Sequence, residues 1–97
     1  MNQTNDKYSW DPIKRAENIE KRGLDIVELA DGIFVDPDLA VKLDTRKDYS
    51  EQRYLAFALV NDSRLCLCFT PRGDKIHLIT IFNLKEKIWR KYHGGEN

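Results

Sequence analysis

Residues 53–82 read RYLAFALVNDSRLCLCFTPRGDKIHLITIF, three apolar runs divided by two clusters of turn residues. Arg53 to Val60, Arg64 to Thr70 and Lys75 to Phe82 each have strand length. The links Asn61-Asp62-Ser63 and Pro71-Arg72-Gly73-Asp74 are of hairpin length, and Asn, Asp and Gly tolerate the left-handed backbone that tight hairpins use. The reading is an antiparallel meander. A charged, loop-like segment from Thr45 to Gln52 precedes it. Before that, Leu39 to Leu43 follows the break at Asp36-Pro37-Asp38 and reads as a short edge strand with Ala40 and Lys42 facing away.

Helical signals flank this sheet. In Tyr8-Ser9-Trp10-Asp11-Pro12 the Asp can cap free backbone N–H groups and the Pro supplies the preset φ of a first helical residue. A helix from about Asp11 to Arg22 follows, with Gly23 as its left-handed stop. Lys14, Asn18 and Lys21 lie three and four residues apart and share one face, opposite Ile13, Ala16 and Ile19. Any solvated amphipathic helix shows such a stripe; a cationic binding face beside a tryptophan shows it too. A second helix begins at Asp25, where Asp25 and Glu28 have capping-box spacing and Ile26, Leu29, Ala30 and Ile33 form an apolar stripe, and it ends near Gly32 to Phe34. A last helix is predicted from near Asn83, burying Leu84, Ile88 and Trp89 or Tyr92 and exposing Lys85, Lys87, Arg90 and Lys91.

The expected fold is therefore α+β: two N-terminal helices, a three- to four-stranded antiparallel sheet and a C-terminal helix, with the helices on one sheet face. Residues 1–7 read as a flexible polar tail and residues 8–94 as a single domain. With 97 residues, 41% of them hydrophobic, the chain can build one modest core and no second domain. Apolar runs such as Leu55 to Val60 fall far short of a membrane span, and no basic-then-apolar leader precedes them, so a cytoplasmic location is expected.

Cys66 and Cys68 are one residue apart in a predicted strand, which puts both on one face and would strain a disulfide between them; they read as reduced, packed thiols. His77 and His93 form no recognisable metal-ligand spacing with them, and no acidic cluster suited to Mg²⁺ is evident, so no metal and no cofactor is expected. Net charge is zero, against the usual strongly basic nucleic-acid binder. The halves differ: residues 1–52 carry eight Lys/Arg against twelve Asp/Glu, net −4, and residues 53–97 eight against four, net +4. A basic C-terminal half can attract phosphate; ordinary scatter of surface charge gives the same count.

The order Trp10-Asp11-Pro12, Lys14, Asn18, Lys21-Arg22-Gly23 and Phe34-Val35-Asp36-Pro37 resembles the opening of BrnT-family proteins, small bacterial toxins of type II toxin–antitoxin pairs, and the likeness runs from Tyr8 to Tyr92. It implies a RelE-like fold. It also implies an endoribonuclease that works without a metal by directing a ribose 2′-hydroxyl at the adjacent phosphate. Such chemistry needs a proton acceptor, cations for the charge developing on phosphorus and an acid for the leaving oxygen. The implied partners are RNA and a neutralising BrnA-type ribbon-helix-helix antitoxin, with DNA met only through the antitoxin.

Within this resemblance Glu51-x-Arg53 matches a frequent Glu-x-Arg, two residues that share a strand face and address one site or merely pair with each other. Arg72 matches a commonly basic position, although an arginine in an exposed turn is also unremarkable. Where the family often reads Arg-Ile-Ile-Ser-x-Arg, this chain has His77 at the first arginine and Phe82 at the second; a frequent Glu of the last helix aligns with Ile88, and a terminal Tyr is kept as Tyr92. The resulting expectation is that Arg53 and Arg72 hold the scissile phosphate and His77 transfers a proton. Trp10 would stack on a base, Glu51 would contribute to substrate binding, and Lys14, Lys21 and Lys91 would steer RNA. Histidines on strands also serve as plain sheet residues, and His93 reads as inert. A rival expectation rests on Phe82 and Ile88: a catalytically weakened homologue that binds an antitoxin and helps regulate its operon.

Overall fold

The computed structural model describes residues 1–93. The elements run β1 (Gln3–Thr4), β2 (Tyr8–Trp10), α1 (Pro12–Arg22), α2 (Ile26–Phe34), β3 (Ala40–Leu43), β4 (Tyr54–Val60), β5 (Ser63–Arg72), β6 (Lys75–Asn83) and α3 (Glu86–Tyr92). The α+β class and the β4-β5-β6 meander are as expected. The sheet is larger than expected, with six strands in the order β1-β2-β6-β5-β4-β3. It is also mixed. β2 lies parallel to β6, Ser9 opposite His77, while the other pairs are antiparallel. Three residues of strand carry too little periodicity to be read locally, and the pairing of Ser9 with His77 spans most of the chain. Within the expected tail, Gln3 and Thr4 turn back to pair with Trp10 and Ser9.

Both hairpin turns follow from their residues. Asn61 and Asp62 take φ of 50° and 67° between the paired Val60 and Ser63, and Gly73 takes 60° between Arg72 and Lys75. On one sheet face Ile26, Ala30 and Ile33 of α2 meet Ala56 and Ala58 of β4, Leu65 and Leu67 of β5, and Leu78 and Ile81 of β6. The two alanines are small enough to let α2 lie close to the sheet. Tyr8 and Trp10 extend this core along β2.

The cap expectations hold for the first two helices. Asp11 accepts from the Ile13 N–H at 2.9 Å, Asp25 accepts from Val27 and Glu28, and Gly23 closes α1 in the left-handed region. The facing of α1 departs from the expected one: Lys14 and Lys21 are exposed as expected, but Asn18 turns inward and the apolar side faces out. Asn18 is buried and accepts from Arg22 Nη1 at 2.7 Å and from the Thr80 hydroxyl at 3.3 Å, while Ile13 and Ile19 are 68% and 44% exposed. Arg22 Nη1 also donates to the Ile81 carbonyl at 3.2 Å, so α1 docks on β6 through a polar network. We therefore expect Asn18→Ala to cost about 1–3 kcal/mol by removing the acceptor that Arg22 and the half-buried Thr80 hydroxyl share where α1 meets β6. Ile13→Ser should stay within about 0.5 kcal/mol of wild type, and urea denaturation measures both.

The last helix departs from expectation in two ways. Asn83 ends β6 and is not a cap; α3 starts three residues later with no side-chain cap. It also lies on the other sheet face from α1 and α2, because Phe57, the side chain Tyr92 stacks on at 5.4 Å, points away from its core neighbours Ala56 and Ala58. Ile88 is 40% exposed, so the expected burial is partial. No described helix is long and apolar enough to cross a membrane.

Candidate active site

Alternation along the strands sends Cys66, Cys68 and His77 to the face opposite α1 and α2, since their neighbours Leu65, Leu67 and Leu78 point into the core. Thr70 and His77 are cross-strand partners, and Arg72 follows Thr70 by two residues at the end of β5. The loop from Asp44 to Arg53 crosses beside them, fixed by the bond from Thr70 Oγ1 to the Gln52 carbonyl at 2.7 Å.

Glu51 stands between two guanidinium groups. Arg72 Nη2 donates to both its oxygens, at 3.2 and 3.0 Å, and Arg53 Nε lies 3.6 Å from Oε2. The hydrogen bonds from Arg72, with the charge of Arg53 behind them, hold the Glu51 carboxyl below the usual range, so it is ionised at neutral pH. Arg53 Nε is buried and has no hydrogen-bond partner among the described residues. An unmet buried donor costs about 1–3 kcal/mol, and the charge that faces this one is the Glu51 carboxylate 3.6 Å away.

The Arg53 guanidinium lies over the Tyr49 ring at 4.2 Å, and the Tyr49 hydroxyl donates to Asp44 Oδ2 at 3.1 Å. Asp44 has a fully buried side chain and takes Arg46 Nε and Nη2 at 2.9 and 2.8 Å. It also accepts from the Arg46 backbone N–H, and its own N–H donates to the Arg53 carbonyl at 2.7 Å. The Arg46 guanidinium holds the Asp44 carboxyl down to about 2. The loop is thus closed at its ends by the Asp44 backbone N–H on the Arg53 carbonyl and held inside by the Asp44 carboxylate on Arg46 and Tyr49.

His77 is buried, with Nδ1 2.8 Å from Ser9 Oγ. Burial, helped by the charges of Arg72 and Arg53 against those of Glu51 and Asp11, holds its pKa below the ordinary histidine value, so the ring is neutral at pH 7. The cysteines are inert by comparison. Burial pushes the Cys66 thiol up to about 12 and the Cys68 thiol up to about 11.

Four of the expected residues, Glu51, Arg53, Arg72 and His77, are therefore brought together, and Lys91 on α3 shares their sheet face. Three are not. Trp10 is 7% exposed, donates Nε1–H to Gln3 Oε1 at 3.2 Å and lies under the Arg15 guanidinium, so it has no open face for a base. Lys14 and Lys21 lie on α1, across the sheet from the arginines; Lys14 sits 3.8 Å from Glu17. Sequence reading missed Asp44, Arg46, Tyr49 and Ser9. The one available signal was Asp44-x-Arg46, an Asx turn followed by a cation.

Phe82 and Ile88 lie elsewhere on the same face, lining a groove of about 510 Å³ beneath α3 with Leu55, Phe57, Leu84 and Tyr92; Lys42 and Arg46 stand at its rim. Among the described residues there is no group of three or more His, Cys, Asp or Glu placed to hold a metal ion. A family model described as ribonuclease toxin, BrnT, of type II toxin-antitoxin system matches residues 10–87. No curated protein and no solved structure matches the chain.

Proposed function

The chain belongs to the BrnT family, ribonuclease toxins of type II toxin–antitoxin systems, and from that premise we propose that it is an endoribonuclease that cuts RNA without a metal ion at the Glu51, Arg53, Arg72 and His77 cluster. The observation that carries the assignment is the Glu51 carboxylate held between two guanidiniums on a sheet end, beside a neutral imidazole. A phosphodiester oxygen competes with Glu51 for Arg72 Nη2, which belongs to a side chain 44% exposed, and the Arg53 guanidinium, whose side chain is 29% exposed, adds a second positive charge beside it. Both cations then sit where charge develops on phosphorus.

For His77 to take the 2′-hydroxyl proton, its Nδ1–H must donate to Ser9 Oγ and leave the Nε2 lone pair free. The 2′-oxygen then bonds phosphorus as the bond to the 5′-oxygen breaks, and the proton on His77 can return to that leaving oxygen. Lys91 attracts RNA to this face, while Lys14 and Lys21 contribute only to the long-range field. The toxin works in the cytoplasm and is neutralised by a BrnA-type ribbon-helix-helix antitoxin, through which alone it meets DNA.

The test is purified protein with total RNA in excess EDTA, beside an Arg72→Ala control: cleavage that survives EDTA and is lost in the control supports the reading, and intact RNA from folded protein defeats it. The pH profile checks His77. Because burial depresses its pKa, the neutral base persists below the ordinary value of 6.5, so the cleavage rate should hold as pH falls through 6.5 and drop only below it. His77→Gln should abolish that acid limb.

The second reading, a weakened toxin kept as an antitoxin-binding and operon-regulating module, is favoured by Phe82 and Ile88 lining an apolar groove at positions where the family resemblance implies Arg and Glu. Growth arrest on expression separates the two: the toxin arrests cells and the module does not.

A further inference from the structure

We propose that β3 is an interface between two copies of this chain, pairing antiparallel with β3 of a second copy about a two-fold axis at Val41. β3 ends the sheet on its side, with β4 as its one strand partner among the described residues. The Asp44 N–H donates to the Arg53 carbonyl, and residue 44 continues the register that sets Lys42 opposite Leu55, so residues 40, 42 and 44 turn their backbone groups toward β4. Val41 and Leu43 therefore turn theirs outward. Their side chains are each 48% exposed, on the sheet face of Ala56 and Tyr54. Outward backbone groups beside exposed apolar side chains are what strand addition requires.

The residues along this edge complement themselves when reversed. Pairing centred on Val41 sets Val41 against Val41 and Leu43 against Leu39 of the second copy, an apolar row along one face. The two Val41 residues exchange a pair of hydrogen bonds. Each Leu43 N–H meets a Leu39 carbonyl, while the Leu39 N–H keeps its own bond to the Asp36 carbonyl at 3.1 Å. On the other face Lys42 comes opposite Ala40 of the second copy, with Asp38, two residues before it, as a diagonal neighbour within reach of a long side chain. Lys42 and Asp38 are both exposed, and among the described residues neither is in an ion pair. The Tyr92 ring, 5.4 Å from Lys42 Nζ, gives that ammonium no counter-charge. The two-fold thus supplies two ion pairs between the copies. A pairing centred on Lys42 would instead set lysine against lysine, which is destabilising.

Joined in this way, two six-stranded sheets become one. The axis runs normal to the combined sheet, so both α3 helices and both clusters of Glu51, Arg53, Arg72 and His77 face the same side. With only four residues of strand from each copy the interface is small, and the dimer is weak, with a dissociation constant on the order of 10–100 µM.

The experiment is sedimentation equilibrium of the full chain from about 5 to about 500 µM, a span that brackets the expected constant. We expect the average mass to rise from one chain toward two across it. Val41→Glu sets like charges face to face at the axis from a position on the exposed edge, and should weaken the dimer about tenfold with the circular dichroism of the fold unchanged. Should that variant fail to fold, the charges at the rim decide. Lys42→Glu and Asp38→Lys should each weaken association severalfold, and the two together should restore it, because the pair they exchange lies between copies. A mass of one chain at the highest concentration leaves the edge to a strand of another protein and overturns the proposal. So does a dimer undiminished in folded Val41→Glu, or a double charge exchange that associates no better than the single variants.

Discussion

Arg72→Ala is expected to slow RNA cleavage about 10²- to 10³-fold, the scale of removing one electrostatic stabiliser of a charged transition state, and to restore growth to cells that the wild type arrests. The side chain lies outside the core, at the end of β5, and its partner Glu51 is an acceptor that water can serve once the guanidinium is gone. Its removal should therefore leave the unfolding midpoint nearly unchanged. Arg53→Ala should lose activity to a similar degree and carry a small stability change of its own, as it removes both the contact with Tyr49 and the unmet buried donor. Since both groups are assigned to one phosphate, the double variant should fall well short of the product of the two losses. Growth arrest by both single variants at wild-type strength would remove these arginines from the site.

Much of this arrangement was legible in the chain because its signals are local. Asn61-Asp62 and Gly73 mark the hairpins, Asp11-Pro12 and Asp25 mark the helix starts, and the spacing Glu51-x-Arg53 places two charges on one face. What stayed hidden depends on partners far away in sequence. Tyr8-Ser9-Trp10 reads as a helix lead-in until β6 is available to pair with it, and only then does Trp10 become a core residue and Ser9 a partner of His77. The stripe of α1 failed for a related reason. Periodicity reports a face, but Asn18 finds Arg22 and Thr80 at its docking surface, and a satisfied polar network outweighs the burial of Ile13 and Ile19. Side also escapes a one-dimensional reading, as with α3, whose apolar residues go to the sheet face that α1 and α2 leave uncovered.

The loop that carries Tyr49, Glu51 and Arg53 has its own stability test, because Asp44 organises it. Asp44→Ala removes the acceptor for both Arg46 nitrogens, the Arg46 backbone N–H and the Tyr49 hydroxyl at once, and should destabilise the protein by about 3 kcal/mol, the low end for breaking a buried ion pair because Arg46 can turn to water. Asp44→Asn separates charge from shape. The folded carboxyl is held down to about 2 by Arg46, against 3.8 ordinarily, so the folded state binds its proton less readily than the unfolded chain. The stabilisation is therefore fully present above pH 4 and disappears as pH falls through about 2, an amount of about 2 kcal/mol. In denaturant melts at pH 6, 4 and 2, wild type should lose that increment between pH 4 and 2, over and above what its other carboxylates lose, and Asp44→Asn should not. The neutral variant should also cut RNA more slowly at pH 7, because Arg46 and Tyr49 would lose the charged acceptor that anchors them while Arg53, Arg72 and His77 remain in the chain. Wild-type cleavage by a measurably destabilised Asp44→Asn would mean that the loop positions its residues without this carboxylate.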